Sequence, residues 1–396
     1  MRGMWSQIRT VVVMNIASLP RRLWMSLAAV FAVSVVVAVL LAFLAMAKGF
    51  EQTLAGTGTE NIAIVTRTGS QSELNSVLGR NSVNLISTAP GIAVDENGDP
   101  IYSAELYVIV DGIKRSTQTE ANIPMRGISP NGFALREQIE IVEGRMFEPG
   151  RNEITVGAGV MREFSGFEVG REIRFGKSTW TVVGVFSTGG SAFESELWAD
   201  APTVQSQFQR GSSFQTVRLR LQEPGNVEPI QAFVEADPQL SLDVETEADF
   251  FAAQGRALNG IAVFGWTLSA IMGLGALAGA LNTMYTSVAS RSREIATLRA
   301  IGFSNLSAFA GTLAESVVLS IIGGVVGAMV AWLFFDGFSA STLGASFTQI
   351  VFTFELTPEL FQNGIVMALV IGLVGGIFPA WRAARVPVVL AFQGGE

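Results

Sequence analysis

The hydrophobic pattern of the chain is dominated by four long segments that contain no charged residue. These segments cover residues 23–47, 257–290, 316–335 and 360–381, and they are rich in Leu, Ile, Val, Gly and Ala. About 20 helical residues cross a hydrocarbon core of roughly 30 Å, because each residue adds about 1.5 Å. The pattern therefore predicts four transmembrane helices, one near the N-terminus and three clustered in the second half of the chain.

A long polar stretch, residues 48–256, separates the first apolar segment from the second. Period-two alternation around the Gly176-Lys177 turn predicts a β-hairpin. Further segments are predicted as strands (61–65, 104–110 and 216–221) or as short helices (203–210 and 227–236). Residues 68–84 lack periodicity and are predicted to be a surface loop, with a surface that contacts a partner as the alternative. The predicted fold class is therefore a four-helix membrane protein with a large α+β domain between spans 1 and 2.

Composition narrows the functional classes. The chain is 49% hydrophobic and only 15% charged, with a mean hydropathy of +0.41, which excludes an ordinary soluble enzyme. It has no Cys and no His, so thiol nucleophiles, imidazole bases and the commonest zinc ligands are missing. No catalytic, cofactor or metal site is predicted on this chain, and the acidic pI of about 4.9 argues against a nucleic-acid partner.

The distribution of charge predicts the orientation in the membrane. Positively charged residues in short loops favour the cytoplasmic side. Nine arginines flank the spans on one side: Arg2, Arg9, Arg21, Arg22, Arg291, Arg293, Arg299, Arg382 and Arg385. The opposite connection, 336–359, has three acidic and no basic residues, and 48–256 has 28 acidic and 17 basic residues. Both termini are therefore expected in the cytoplasm and the large domain on the outside.

Two short cytoplasmic segments are predicted to be amphipathic helices. Residues 4–16 place Trp5, Ile8 and Val11 on one side, which is typical of a helix on the membrane surface, before Pro20 breaks it. The alternative is an elbow that moves with a partner. In residues 287–305, the apolar ridge of Ile295, Leu298 and Ile301 is flanked by charged residues. It can dock on a partner protein, or its arginines can merely set the topology.

Two further features of the spans are a single carboxylate and three pairs of glycines. Glu315 lies at the start of the third span, where a carboxylate needs a partner, water or the membrane interface. It is interpreted as an interfacial or helix-pairing residue, with a role in coupling as the alternative. Three small-xxx-small pairs predict close helix packing or dimerisation: Gly275 with Gly279, Gly323 with Gly327, and Gly372 with Gly376.

Several motifs together resemble a known family. The segments SREIATLRAIG after span 2, FPAWRAARVPVVLAF at the end, and EGRMFEPGRNEITVGAG with VGREIRFGKSTWTVVGVF in the large domain resemble the MacB/FtsX-type permeases of ABC transporters. The resemblance implies that the segment after span 2 is a coupling helix that seats on a nucleotide-binding subunit. The residues to which it assigns this role are Arg291, Arg293, Glu294, Ile295, Leu298, Arg299 and Gly302.

The resemblance also implies a mechanism and partners. ATP-driven closure of cytoplasmic subunits would move the spans as levers and rearrange the external domains, which is described as mechanotransmission. The chain is expected to be a non-catalytic efflux permease in the bacterial inner membrane, with ATP and Mg bound by a separate ATPase polypeptide. A second permease copy or paralogue, a periplasmic adaptor, an outer-membrane channel and membrane lipid are the other implied partners. The alternatives are a lipoprotein-release permease and an FtsX-like regulator of a cell-wall hydrolase.

These expectations divide the chain into nine parts. In order, they are a cytoplasmic amphipathic helix, span 1, the external domain, span 2, the coupling helix, span 3, an outer loop, span 4 and a cytoplasmic tail. Their predicted boundaries are 1–22, 23–47, 48–256, 257–286, 287–305, 312–335, 336–359, 360–381 and 382–396.

Overall fold

The chain forms two units in a computed structural model that describes residues 2–70, 72–136, 138–257, 260–343, 349–387 and 389. The first, here the helical unit, comprises Met1–Lys48, Asn259–Phe338 and Phe354–Glu396. The second, here the sheet unit, comprises Gly49–Leu258 and Ser339–Thr353.

The α-helices of both units are numbered in chain order. They are α1 (Arg2–Ser18), α2 (Leu23–Ala55), α3 (Arg80–Ile86), α4 (Ala158–Glu163), α5 (Ala201–Gln207), α6 (Glu228–Ala236), α7 (Glu247–Ala257), α8 (Gly260–Ser290), α9 (Ser292–Ala300), α10 (Asn305–Phe335) and α11 (Pro358–Ala384).

The strands all belong to the sheet unit. They are β1 (Ile62–Arg67), β2 (Tyr102–Lys114), β3 (Glu120–Ile128), β4 (Glu140–Gly144), β5 (Glu153–Gly157), β6 (Phe164–Ser165), β7 (Glu172–Phe175), β8 (Ser178–Ser187), β9 (Leu197–Asp200), β10 (Thr216–Arg220), β11 (Leu242–Thr246), β12 (Ser339–Leu343) and β13 (Gln349–Thr353).

Four helical segments in the described part of the chain are long and apolar enough to cross a membrane. They are α2, the segment that contains α8, and α10 and α11. Large apolar side chains such as Leu274 and Leu333 are about two-thirds exposed, at 67% and 70%, which suits contact with lipid rather than water. The predicted fold class is confirmed, because these helices accompany a mixed α/β domain that lies between the first and the second of them.

Several helices extend beyond the predicted boundaries. Helix α2 continues to Ala55 rather than ending at residue 47, and α10 begins at Asn305 rather than 312. Residues 287–290, predicted as part of the coupling helix, belong to α8, so α9 is shorter than the predicted segment. The absence of charge marks only the part that lies in hydrocarbon, whereas helical hydrogen bonding continues past it into polar sequence.

The sheet unit is built on one sheet of eleven strands. The main strand order is β11-β1-β10-β2-β3-β9-β5-β8-β4, while β6 pairs with β2 and β7 with β8. The predicted hairpin is confirmed, because Phe175 pairs with Ser178 across a turn in which Gly176 has φ +59°, a conformation that favours glycine. The predicted strands within β1, β2 and β10 and the predicted helices at α5 and α6 are confirmed as well.

The hydrophobic residues of the sheet that the structure describes form two cores. One contains Val65, Val217 and Leu219 with residues of α3 and α6. The other contains Leu106, Met125 and residues of β5, β8 and β9 with α4 and α5. Strand β2 contributes to both cores, so it joins the two halves of the sheet.

On the face of the sheet opposite these cores, strands β2, β3 and β10 carry charged side chains that are buried. Seven residues, here the charged layer, are each at most 8% exposed; they are Glu73, Glu105, Arg126, Arg136, Glu196, Arg218 and Glu247. The prediction that residues 68–84 are a surface loop is wrong for much of the segment. The short 3-10 turn at Glu73 buries its carboxylate beneath Arg126 and Arg218, α3 begins at Arg80, and Leu78 and Val83 are buried in the first core. The absence of apolar periodicity concealed the burial of Glu73, because ion pairs hold its carboxylate in place.

The connection 336–359 is more structured than a short loop. Strands β12 and β13 pair antiparallel, with Ala340 opposite Phe352. The Val351 amide donates to Ser195 Oγ at 2.9 Å, and the Phe352 ring lies 5.3 Å from Phe50, edge to face. The segment between the third and fourth spans therefore contributes a hairpin to the sheet unit.

Candidate functional site

The candidate site is the region around α9, between the second and third spans. Helix α8 ends at Ser290, and Arg291 interrupts the helix before α9 begins at Ser292. Gly302, with φ +103°, follows the end of α9, as its predicted stop signal requires. Ser304 then caps α10 by accepting a hydrogen bond from the Ser307 amide at 3.2 Å.

A buried ion pair lies at the centre of this region. Arg291 Nη1 donates to Glu315 Oε2 at 3.0 Å, and the two residues are 5% and 4% exposed. Arg291 Nε also donates to Glu294 Oε2 at 3.2 Å. The pair therefore joins the start of α9 to α10. The predicted coupling residues Arg291 and Glu294 and the predicted carboxylate Glu315 come together here.

Two N-terminal residues complete the cluster. Arg291 Nη2 donates to the Asn15 side chain of α1, and Arg22 Nη1 donates to Ser287 Oγ of α8 at 2.7 Å. Ser287 Oγ in turn donates to Glu315 Oε1 at 3.3 Å. Burial and the nearby Arg291 lower the pKa of the Arg22 guanidinium. The junction cluster, comprising Asn15, Arg22, Ser287, Arg291, Glu294 and Glu315, thus connects α9 to α1, α8 and α10.

The C-terminal end of α9 is also held. Arg299 Nη1 donates to the carbonyl oxygen of Val386, just after α11. On the loop that follows α9, the Ser304 amide donates to Gln7 Oε1 of α1 at 3.1 Å. Both ends of α9 are therefore bonded to the helices around it.

The predicted apolar ridge is divided between the interior and the surface. Ile295 is buried against Val288 and Ala383, and Leu298 is half-buried, whereas Ile301 is 69% exposed. Ile295 therefore packs inside this chain and is not available to a partner in this conformation. Arg293 and Glu294 are exposed. The outward surface of α9 is thus mostly polar, with Ile301 at its end.

The sequence predicts only three of the six residues of the junction cluster. Arg291, Glu294 and Glu315 were predicted, but Asn15, Arg22 and Ser287 were not. Asn15 carries a weak signal, since it is a polar residue next to the apolar stripe of an amphipathic helix. Arg22 was assigned only to topology, because nothing in the sequence places it beside Ser287, 265 residues away.

Two protein-family models match the chain. The model described as MacB-like periplasmic core domain matches residues 26–237, and the model described as FtsX-like permease C-terminal matches residues 266–388. The first alone covers more than half of the 396 residues. The chain belongs to the MacB/FtsX-type family of ABC transporter permeases.

Relatives of this permease support the same assignment. It is 27% identical to the macrolide export ATP-binding/permease protein MacB of Pasteurella multocida (strain Pm70) over 72% of this chain and 45% of that protein. It is 24% identical to the ABC transporter permease YknZ of Bacillus subtilis (strain 168) over 70% of this chain and 72% of that protein. The chain thus matches less than half the length of the Pasteurella relative.

Solved structures of related domains are also similar. The extracellular domain of YknZ from Gram-positive bacteria aligns with 47% of this permease and 100% of that chain, at 15% identity and a TM-score of 0.35. The periplasmic region of MacB from Actinobacillus actinomycetemcomitans aligns with 49% of this permease and 92% of that chain, at 15% identity and a TM-score of 0.36.

The six predicted packing glycines of the permease fall into two groups. A Cβ on Gly323 would lie 2.8 Å from Val30 O of α2, and one on Gly327 would overlap the backbone of Ser34. Gly372 and Gly376 are similarly close to Ser320 and Ser316 of α10. A Cβ on Gly275 or Gly279 would meet no atom within 4 Å among the described residues. Two pairs therefore pack helices together within the chain, and the third lies at the surface of α8.

This difference gives a matched prediction. Gly327→Ala is expected to destabilise the permease by about 1–3 kcal/mol, because the added methyl group overlaps the backbone of α2. Gly279→Ala is expected to be neutral or slightly stabilising, since Ala favours helix and has room there. Thermal unfolding of the two variants in the same detergent measures the difference. Equal melting temperatures would show that the close approach of α2 and α10 is not rigid.

Proposed function

We propose that this permease is the membrane subunit of an ABC exporter that works by mechanotransmission. A separate nucleotide-binding subunit binds ATP and Mg and docks on α9. Its movement passes through the junction cluster to the helices and from there to the MacB-like domain, which drives export of a periplasmic or membrane-derived cargo. The permease itself has no catalytic role in this proposal.

The junction cluster is the observation that carries the proposal. An ion pair buried to this degree costs desolvation energy and adds little net stability, so its best-supported use is to fix one geometry. Here it fixes α9 against helices α1, α8 and α10. Helix α9 also combines an exposed charged surface with bonds at both ends.

The names of relatives support export as the direction of transport. Two bacterial relatives are a macrolide exporter and the pyoverdine export protein PvdT of Pseudomonas entomophila, which is 29% identical over 38% of this chain and 22% of that protein. Both names combine an ATP-binding and a permease function. The proposal places the complex in the bacterial inner membrane as a dimer of permeases, with α9 and both termini in the cytoplasm and the MacB-like domain in the periplasm. A periplasmic adaptor and an outer-membrane channel would complete the export path.

A surface variant of α9 tests the docking site. Ile301→Asp is expected to lower recovery of the nucleotide-binding subunit with the purified permease about tenfold, which corresponds to about 1.4 kcal/mol, because it places a carboxylate in the proposed contact. Val142→Asp on β4 is the matched control, since Val142 is 62% exposed and Ile301 69%. Mass spectrometry of the co-purified proteins measures the recovery and identifies any adaptor.

Two results would count against docking on α9. One is equal recovery of the nucleotide-binding subunit with the Ile301 and Val142 variants. The other is loss of that subunit from the Val142 variant alone, which would place the ATPase on the side of the MacB-like domain. A lipoprotein carrier or a cell-wall hydrolase in place of an export adaptor would favour the corresponding alternative function.

A further inference from the structure

The charged layer lies on the side of the sheet opposite the two hydrophobic cores. In β10, Val217 and Leu219 belong to a core while Arg218 between them points the other way. In β2, Glu105 alternates in the same manner between Ala104 and Leu106. Strands β2 and β10 therefore place these charged residues on the face opposite the two cores.

Arg218 is the hub that joins the sheet to α7. Its Nε donates to Glu247 Oε1 at 2.7 Å, and Glu247 is the first residue of α7. Its Nη2 donates to Glu73 Oε1 at 3.0 Å, and its Nη1 donates to Glu105. The surrounding carboxylates outweigh the effect of burial and raise the pKa of Arg218, so its guanidinium stays charged.

The same face receives the chain as it leaves α2. A Cβ on Gly58 would overlap the backbone of Glu247, so the exit from α2 and the entry to α7 lie side by side. The Ala192 amide donates to Thr57 Oγ1 at 2.7 Å, and the Phe193 ring lies 5.8 Å from the ring of Phe251 in α7. Both chain segments that connect this domain to the first two spans therefore contact one short region.

A cavity of about 150 Å³, lined by both polar and apolar groups, adjoins this contact. Its lining includes Thr57, Arg136, Phe193 and Glu247. Arg136 Nε is buried and has no hydrogen-bond partner among the described residues. A cavity of this size has room for several water molecules, so the side chains around it have space to shift.

The chemistry of the charged layer allows the residues in it to shift. Apolar packing at interior density resists displacement, because each side chain fills a specific space. A carboxylate and the guanidinium bonded to it can shift together beside a cavity, where water can bond the polar atoms that the shift exposes. Replacing such ions by apolar residues often leaves stability unchanged, so stability alone does not account for them.

We propose that Glu247 is a positioning residue that transmits movement of α7 to the sheet through Arg218. This inference rests on the proposed function, since it takes the spans to move during the ATP cycle. In this proposal, Glu247 transmits the displacement of α7 to Arg218. Arg218 transmits it to Glu105, on the central strand β2, and to Glu73, in the turn beside the strands.

A distance measurement in the assembled transporter tests this role. The chain has no native cysteine, so spin labels can be placed on Ala253→Cys of α7 and Asp111→Cys of β2, both exposed. The distance between them is measured without nucleotide and after trapping with ATP, Mg²⁺ and vanadate. The change between the two states is expected to be smaller in Glu247→Gln, whose amide oxygen still accepts from Arg218, and to be lost in Glu247→Met.

The control variant and the possible results distinguish failure of the role proposed for Glu247 from failure of the proposed function. Glu245→Gln, two residues away on β11 and outside the charged layer, is expected to keep the change of the parent. If Glu247→Met also keeps it and only lowers the melting temperature, Glu247 is purely structural and the inference is overturned. If the parent itself shows no nucleotide-dependent change, the proposed mechanotransmission fails, and the inference fails with it.

Discussion

Replacing Arg291 by Met is expected to destabilise the helical unit by about 3–5 kcal/mol and to abolish ATP-dependent export. The substitution leaves the Glu315 carboxylate, 4% exposed, without its guanidinium, and an uncompensated buried charge costs this much. Asn15 and Glu294 lose their bonds to Arg291 at the same time. Thermal unfolding and transport by the reconstituted complex measure the two effects.

A double variant separates stability from coupling. Arg291→Met combined with Glu315→Leu removes both charges, and such apolar replacements are often neutral for stability. We expect the double variant to regain most of the lost melting temperature but not the export, because α9 is no longer tied to α10. Export restored along with stability would mean that the pair only holds the fold. A single variant as stable and active as the parent would show that the pair is not formed in the working protein.

Replacing Arg126 by Met is expected to destabilise the sheet unit by a similar amount, about 3–5 kcal/mol. Arg126 donates to Glu73 at 2.5 Å, to Glu105 at 2.9 Å and to Glu196 at 2.6 Å, and it is 1% exposed. Its guanidinium also lies 5.0 Å from the centre of the Tyr107 ring. One substitution therefore deprives three buried carboxylates of a partner, and thermal or denaturant unfolding measures the loss.

The matched control is an exposed arginine with an ion pair of its own. Arg171 donates to Glu168 at 2.9 Å, with the two side chains 60% and 43% exposed. Such pairs contribute about 0–1 kcal/mol, so Arg171→Met is expected to change the melting temperature little. Equal losses in the Arg126 and Arg171 variants would contradict the assignment of Arg126 to a buried cluster.

The cost of Arg126→Met should depend on pH. Burial alone raises the pKa of Glu73, but Arg126 and Arg218 outweigh burial and hold it well below its usual range; Arg136, Arg218 and Arg126 together lower the pKa of Glu105. A carboxyl with a lowered pKa stabilises the fold above its unfolded pKa, about 4.3 for Glu, and this stabilisation is lost as the pH falls through the folded pKa. The difference between parent and variant should therefore be full near pH 7 and shrink below about pH 4. A difference that is constant over this range would show that these ion pairs are not its source.

The junction cluster and the charged layer could be predicted from the sequence only in part. Glu315 stood out because a carboxylate at the start of an apolar helix is costly, and Arg291 because it lies in a short, charged connection. Neither property reveals that the two side chains meet, nor that Asn15 and Arg22 join them. In the large domain, Glu105, Arg126 and Arg218 look like the polar positions of alternating strands, which are exposed in most antiparallel sheets. In the structure, that face is covered by the turn at Glu73, the segment at Arg136, the ring of Phe193 and the start of α7.

The sequence by itself determined the four spans, the large domain between the first two, several strands and the family. These follow from local properties, namely the length of uncharged segments, period-two alternation and continuous motifs, and local properties are readable along the chain. The tertiary structure alone decided that residues 336–359 contribute a hairpin to the sheet unit, that Ile295 faces inward, and which charges pair. Those outcomes depend on contacts between residues far apart in the sequence, such as Asn15 and Arg291, which are 276 positions apart. The energy of a buried charge depends on such distant neighbours rather than on its own place in the sequence.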